Sequence, residues 1–383
     1  MRIGIDSRCM QAPRLRGIGK YLFNTIKHVA ELRPDWEFVL FQDSRAERCD
    51  HFPSVGNIDT RAFAMKGDRF FLWEQLRLPF EILRSKVDVF HSPANTLPLI
   101  QVCPTIVTLH DMLLMDRDED ETRGFLWYTR RIIPIGARSA RFIVTVSESS
   151  KRDIVDKIHV PWDRVEAIYH GVDPCFRKVR DLSLFESVSK RIGIRKKYIF
   201  CLGARAERKN TMRMLDVLES LKSKGFDIQL VLAGSQDDML SLLRKAIVSR
   251  GLLNDVVLTG FVSDDELACL YSSAEVFVYP SFFEGFGFPI IEAMACGCPV
   301  VTSNVSSMPE ILGDNAMLFD PGNTSSIVEK IALLLSSPGL GAEKAEKGIE
   351  RAKLFQWKKS AEKMLAVYEK VGQGVEDHRR GRR

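Results

Sequence analysis

Short runs of β-branched and aromatic residues alternate along this chain with longer stretches of helical spacing, and the alternation occurs twice. In the first half the apolar runs predict strands at Ile3–Asp6, Glu37–Phe41, Val87–His91, Thr105–His110, Phe142–Ser147 and Val165–Tyr169. A fresh series starts at Tyr198–Gly203 and continues at Ile228–Gly234, Val256–Gly260, Val276–Pro280 and Val300–Ser303. Strands interrupted regularly by helices are the pattern of parallel sheets, so each series predicts a doubly wound α/β domain. Between them lies Leu182–Lys197, charged and poor in large apolar residues, which places one domain at 1–185 and a second at 186–357. A last helix around Ser360–Val371 carries Met364, Leu365 and Tyr368 on one face. With 383 residues the chain can bury two cores, and the absence of a short-period repeat argues against a solenoid.

The segment from Phe283 to Pro299 is the richest in candidate chemistry. It follows the apolar run Glu275–Pro280, and Pro289 is suited to opening a helix, where its missing N–H costs nothing. Before it, Gly285 and Gly287 flank Phe286 and let backbone amides approach a ligand at a helix start that favours negative charge, so a diphosphate fits there. Glu284 falls on the loop and Glu292 in the helix. Ile290, Ala293 and Met294 share one helical face, with Glu292 on another, and Gly297 and Pro299 end the helix. Carboxylates at such places accept hydrogen bonds from sugar hydroxyls.

Other candidates also fall at predicted strand ends, where open parallel sheets bind ligands. Arg205, Arg208 and Lys209 follow the strand Tyr198–Gly203 and are placed to neutralise a diphosphate leaving group through charge-assisted hydrogen bonds. Gly17 and Gly19 lie between the first strand and the first helix and open that loop to a ligand. His110 ends another first-domain strand, where an imidazole donates to or accepts from reacting oxygens, whereas His91 reads as a residue that orders its loop. The acidic run Asp116–Asp120 reads as a solvated loop in a chain whose phosphate chemistry already has cations; no metal site is expected.

Two glutamates eight positions apart, framed by glycine, phenylalanine and proline in this order, resemble the signature of retaining glycosyltransferase family 4. The resemblance covers nearly the whole chain, densely from Tyr198 to Asp320 and in patches before it. It implies the GT-B architecture of two facing Rossmann-like domains with the active site in the cleft, the final segment 358–383 crossing back to the first. It further implies that Glu284 contacts the transferred sugar, Glu292 the donor ribose and Lys209 the phosphates. The family often has arginine directly after the glycine, where Ala204 stands here, so Arg205 and Arg208 both remain candidates for the phosphates. The segments around Ile5–Arg8 and Gly17–Tyr21 resemble the family's loop bounding donor and acceptor sites, and His110 falls where the family places a histidine against the sugar. The implied activity is metal-independent, retaining hexosyl transfer from a nucleotide-diphosphate sugar, with no cofactor. Within the family the resemblance is nearest to branches that move mannose or rhamnose in bacterial polysaccharide or lipopolysaccharide assembly, which makes GDP-mannose the expected donor and a glycan or lipid-linked molecule the acceptor. Two alternatives stay open: a sugar-nucleotide epimerase of the same architecture, and a catalytically silent partner subunit.

Composition adds limits. A net charge of +5 without a recognisable nucleic-acid module gives no reason to expect nucleic acid as a partner. Arg130, Arg131, Arg138, Arg141, Lys151 and Arg152 nevertheless gather in the first half, and the tail ends in Arg379–Arg383, a distribution that suits an anionic membrane leaflet as well as a solvated face. No apolar run reaches the roughly 20 residues that span a bilayer, and the start lacks a signal-peptide core, so a cytoplasmic protein, peripheral at the inner face of the membrane, is expected. The eight cysteines complete no zinc set and read as small core residues.

Overall fold

The computed structural model describes all residues except 16, 47–50, 54, 56, 66–71, 117–122, 180, 204–206, 235–236 and 381–383. The chain forms two compact units, Met1–Gly171 with Gln356–Arg383, and Val172–Phe355. Unit 1 holds strands β1 (Arg2–Asp6), β2 (Glu37–Asp43), β3 (Ile58–Phe63), β4 (Val89–Ser92), β5 (Thr105–Thr108), β6 (Phe142–Thr145) and β7 (Val165–Ala167). Unit 2 holds β8 (Tyr198–Leu202), β9 (Gln229–Ala233), β10 (Val256–Leu258), β11 (Val276–Tyr279), β12 (Val300–Ser303) and β13 (Leu318–Phe319).

Among the described residues each unit has one sheet, ordered β3-β2-β1-β4-β5-β6-β7 and β10-β9-β8-β11-β12-β13, and every neighbouring pair is parallel. The central strands are buried throughout their length, which requires cover on both faces. In unit 2 one face of the sheet contributes Leu230 and Val278 to a core with Leu218 and Ile327 among others. The strand order reverses between β1 and β4 in unit 1 and between β8 and β11 in unit 2. A doubly wound sheet opens a ligand crevice at the carboxyl ends of such strands.

Two strands were not legible as runs. β3 is an edge strand whose Asp59 and Thr60 face solvent, and β13 has two residues, so neither needs the continuous apolar run that marks a central strand. The division between units falls at 171/172, earlier than the 185/186 read from sequence. The reason is packing: the connector forms a helix, Leu182–Ile192, capped by Asp181, and stacks Phe185 on Tyr198 of β8. The final helix, Trp357–Arg380, belongs to unit 1. It buries Met364, Val367, Tyr368 and Val371, leaves Leu365 half-buried, and places the Tyr368 hydroxyl 2.7 Å from His91 Nδ1.

Candidate active site

The reversal point of the second sheet collects the charged residues. β8 ends at Leu202, and Gly203 follows with φ 107°, a left-handed backbone that glycine adopts without strain. Residues 204–206 lie outside the described residues, and with them Arg205. The chain resumes as a 3-10 turn, Glu207–Lys209, which carries Arg208 and Lys209 toward the loop after β11. Lys209 Nζ donates to Glu284 Oε1 at 2.6 Å and to the Tyr279 hydroxyl at 2.6 Å. Arg208 Nη1 donates to the same carboxylate oxygen at 2.8 Å and to the Phe283 carbonyl at 2.9 Å. Ser281 Oγ lies 2.6 Å from Glu284 Oε1.

This cluster is largely withdrawn from water, and its protonation follows. Burial pushes the Glu284 carboxyl up, but Lys209, Arg208 and the Ser281 hydroxyl together hold it below its ordinary value. Burial lowers Lys209, with Glu284 opposing the shift. Glu284 is therefore an anion at neutral pH, and the two cations make it one.

The loop is held from below. Ser306 Oγ accepts from the Glu284 amide at 3.0 Å, while Ser307 Oγ donates to the carbonyls of Glu284 and Phe286. Gly287 then caps the helix Phe288–Ala295 with φ 110°, and Pro289 occupies its first turn. At the other end Gly297 (φ 72°) donates to Met294 and Cys298 to Ala293, the paired bonds of a Schellman cap. Gly285 takes no positive φ. The Phe286 ring is buried edge-on against Phe288 and Phe355, so its side chain is a packing group. Glu292 is buried with Ile290, Ala293 and Met294 and lies 3.3 Å from the Tyr271 hydroxyl.

Unit 1 places His110 two residues beyond β5. Its Nε2 lies 2.8 Å from the Pro93 carbonyl and therefore carries the proton, which leaves Nδ1 as an acceptor. Burial lowers its pKa to about 4, so the ring is neutral at pH 7 and offers a lone pair rather than an acid. His91 is buried completely in a chain of hydroxyls, with Tyr368 on Nδ1, Thr108 on Nε2 and Tyr21 beyond Thr108. Gly17 and Gly19 correct the sequence reading: they lie inside the helix Gly17–Leu32 rather than in a loop before it. At Gly19 the demand is packing, because a Cβ there would stand 2.9 Å from the Cys9 carbonyl.

The structure thus brings Arg208, Lys209 and Glu284 together in one cluster and sets Glu292 apart, on Tyr271. Tyr279, Ser281, Tyr271, Ser306 and Ser307 were missed. A usable signal existed for most of them, since Tyr279 and Ser281 bracket the end of β11 and Ser306 and Ser307 follow the end of β12. The acidic run lies outside the described residues from 117 onward, and among the described residues no cluster of three His, Cys, Asp or Glu side chains is placed to hold a metal.

A sequence-family model for group 1 glycosyl transferases matches residues 185–355, and one for glycosyltransferase family 4 matches 15–175. The chain belongs to the family 4 glycosyltransferases. It is 28% identical over 371 residues to the O-antigen chain mannosyltransferase B of Escherichia coli, covering 92% of this chain and 96% of that one. It is 29% identical over 283 residues to the MMP alpha-(1->4)-mannosyltransferase of Mycolicibacterium hassiacum, covering 70% of this chain and 66% of that one. Among solved structures, Anabaena HepE in complex with UDP and glucose superposes with a TM-score of 0.75 at 18% identity, covering 96% of this chain and 99% of that one. The glycosyltransferase accordingly has the GT-B architecture. Among its described residues no helix is long and apolar enough to cross a membrane.

Proposed function

We propose that this glycosyltransferase moves mannose from GDP-mannose to a glycan or lipid-linked acceptor, with retention and without a metal, in bacterial polysaccharide or lipopolysaccharide assembly. The observation that carries the donor site is the pairing of Lys209 and Arg208 with Glu284 at the reversal point of the second sheet. Mannose is supported by the relatives, both mannosyltransferases by name.

In this reading the donor diphosphate displaces the Glu284 carboxylate from Lys209 and Arg208, and the released carboxylate accepts hydrogen bonds from the sugar hydroxyls. As the bond between the anomeric carbon and the phosphate oxygen breaks, its electron pair passes to the diphosphate, where the two cations stabilise it. The acceptor hydroxyl attacks from the leaving-group face and its proton passes to a departing phosphate oxygen. Glu292 holds the ribose, and His110 Nδ1 accepts from a sugar hydroxyl. No side chain needs to act as a nucleophile.

The helix Arg123–Ser139 supports reversible attachment to anionic membranes. Trp127 and Ile135 are 65% and 50% exposed, and with the exposed Arg131 and Arg138 they recur at helical spacing, an arrangement suited to the headgroup boundary. Lys151, counted with this cluster from sequence, is instead buried, its ammonium 4.3 Å from the Trp162 ring.

A panel of nucleotide sugars tests the assignment by thermal shift and slow hydrolysis. GDP-mannose should raise the melting temperature and be hydrolysed in excess chelator; preference for another donor, or dependence on a divalent metal, would contradict the corresponding part.

A further inference from the structure

A cavity of about 450 Å³ opens in unit 1 at the amino ends of β6 and β7, the opposite end of the sheet from His110. Arg138, Arg141, Arg164 and Lys370 line it, together with one carboxylate, Asp163. None of the four cations pairs with that carboxylate. The scaffold fixes two of the guanidinium groups from behind. Arg138 Nε donates to the Ile158 carbonyl at 2.9 Å, and Arg164 Nη2 donates to the Arg138 carbonyl at 3.0 Å and to that of Ala140. Lys370 is held over the Phe142 ring, 4.4 Å from its centre. Arg141, the terminal nitrogens of Arg138 and Arg164 Nη1 have no acceptor among the described residues.

Four cations around one concavity repel one another, and a single carboxylate that pairs with none does little to offset this. Fixed guanidinium forks with unused N–H groups match the geometry of phosphate oxygens, and a lysine adds a point charge. We propose that this cavity is a second anion site, separate from the donor site, that takes a phosphorylated group, either a soluble phosphate or the headgroup of a phospholipid. The cations lie in the last turn of the helix Arg123–Ser139, on the turns before β6 and β7 and on the final helix, so the site depends on the return of residues 356–380 to unit 1.

Calorimetric titration of the full chain with inorganic pyrophosphate at low salt tests this. The wild type should bind at two sites, and Lys209→Ala should keep one. Adding Arg141→Ala and Lys370→Ala to Lys209→Ala should weaken the remaining site about tenfold or more. Both side chains are exposed, and Arg141→Glu alone, expected to abolish the same site, provides an independent check on folding. A single wild-type site that Lys209→Ala leaves intact and Arg141→Glu removes would uphold the cavity while contradicting the donor reading. Lys209→Ala protein that binds no pyrophosphate, or binds it equally well after the Arg141 and Lys370 changes, overturns the proposal. Phosphatidylglycerol vesicles that compete with pyrophosphate for Lys209→Ala protein assign the site to a headgroup; vesicles that leave pyrophosphate binding unaltered assign it to a soluble phosphate.

Discussion

Lys209 Nζ stands 2.6 Å from Glu284 Oε1, so the cation assigned to the donor phosphates and the carboxylate assigned to the sugar form an ion pair with each other. Sequence spacing places them 75 positions apart, and the β8 and β11 pairing brings them together. The pair keeps a buried cation and a buried anion compensated until a ligand separates them.

Replacing Glu284 by glutamine should therefore uncouple binding from turnover. Lys209 and Arg208 lose their carboxylate, so affinity for a nucleoside diphosphate should rise by a few-fold to about tenfold, while transfer falls sharply because the sugar loses its anionic acceptor. Titration of GDP alongside initial rates checks both; weaker GDP binding would contradict the pairing as a competitor of the donor. The pair also sets an acid limit. A carboxyl held below its ordinary value contributes stability at neutral pH that is lost as pH falls through the folded value, and Glu284→Gln should remove that part of the acid transition.

Gly287→Ala should lower the melting temperature. The backbone there has φ 110°, and an added Cβ would lie 3.2 Å from Ile290 Cδ1. A cost of ~1–2 kcal/mol corresponds to about 2–8 °C for a unit of this size. Donor affinity should fall with it, since the loop from Glu284 to Gly287 leads directly into the helix start. A variant with unchanged stability and affinity would show that the left-handed residue is not needed.

Unit 1 should lose stability on mild acidification. His91 and His110 are buried and neutral with values near 3 and 4, and His170 is also well below 6.5. Below about pH 6.5 the unfolded chain takes up protons that the folded chain refuses, so stability declines by up to about 1.4 kcal/mol per pH unit for each histidine. Glu74, raised by burial, works in the opposite direction, as a single group against three. Thermal melts at about pH 7.5 and about pH 5 should show the drop, and His91→Gln should reduce it. Equal melting temperatures would contradict the buried neutral histidines.

The strands that neighbours cover on both sides were legible because burial on two faces demands a continuous apolar run, as in Val276–Tyr279. β3 and β13 escaped because an edge needs no such run. At the site, Arg208, Lys209 and Glu284 were legible as charges at strand ends. Their mutual contact was not, because it depends on which strands become neighbours. Tyr271, paired with Glu292, gave no local signal, since it sits in the last turn of the helix 264–273 and reads as core. Gly19 was misplaced because a glycine close to a backbone carbonyl and a glycine open to a ligand look alike in one dimension.

Membrane attachment should depend on aromatic and charged groups together. Trp127→Ala with Ile135→Ala should reduce sedimentation with phosphatidylglycerol vesicles at low salt, as should neutralising Arg131 and Arg138. High salt should weaken attachment, since exposed charges are screened beyond ~8–10 Å. Indifference to vesicles at low salt would leave the helix Arg123–Ser139 as a solvated face.

The central claim is that Lys209 and its neighbours form the diphosphate half of a donor site. Titration of GDP into wild type and Lys209→Ala tests it most directly. Loss of charge-assisted bonds worth ~1.5–3 kcal/mol each predicts affinity at least tenfold weaker in the variant, with no dependence on added divalent metal. Unchanged GDP affinity in a folded Lys209→Ala protein would contradict the account.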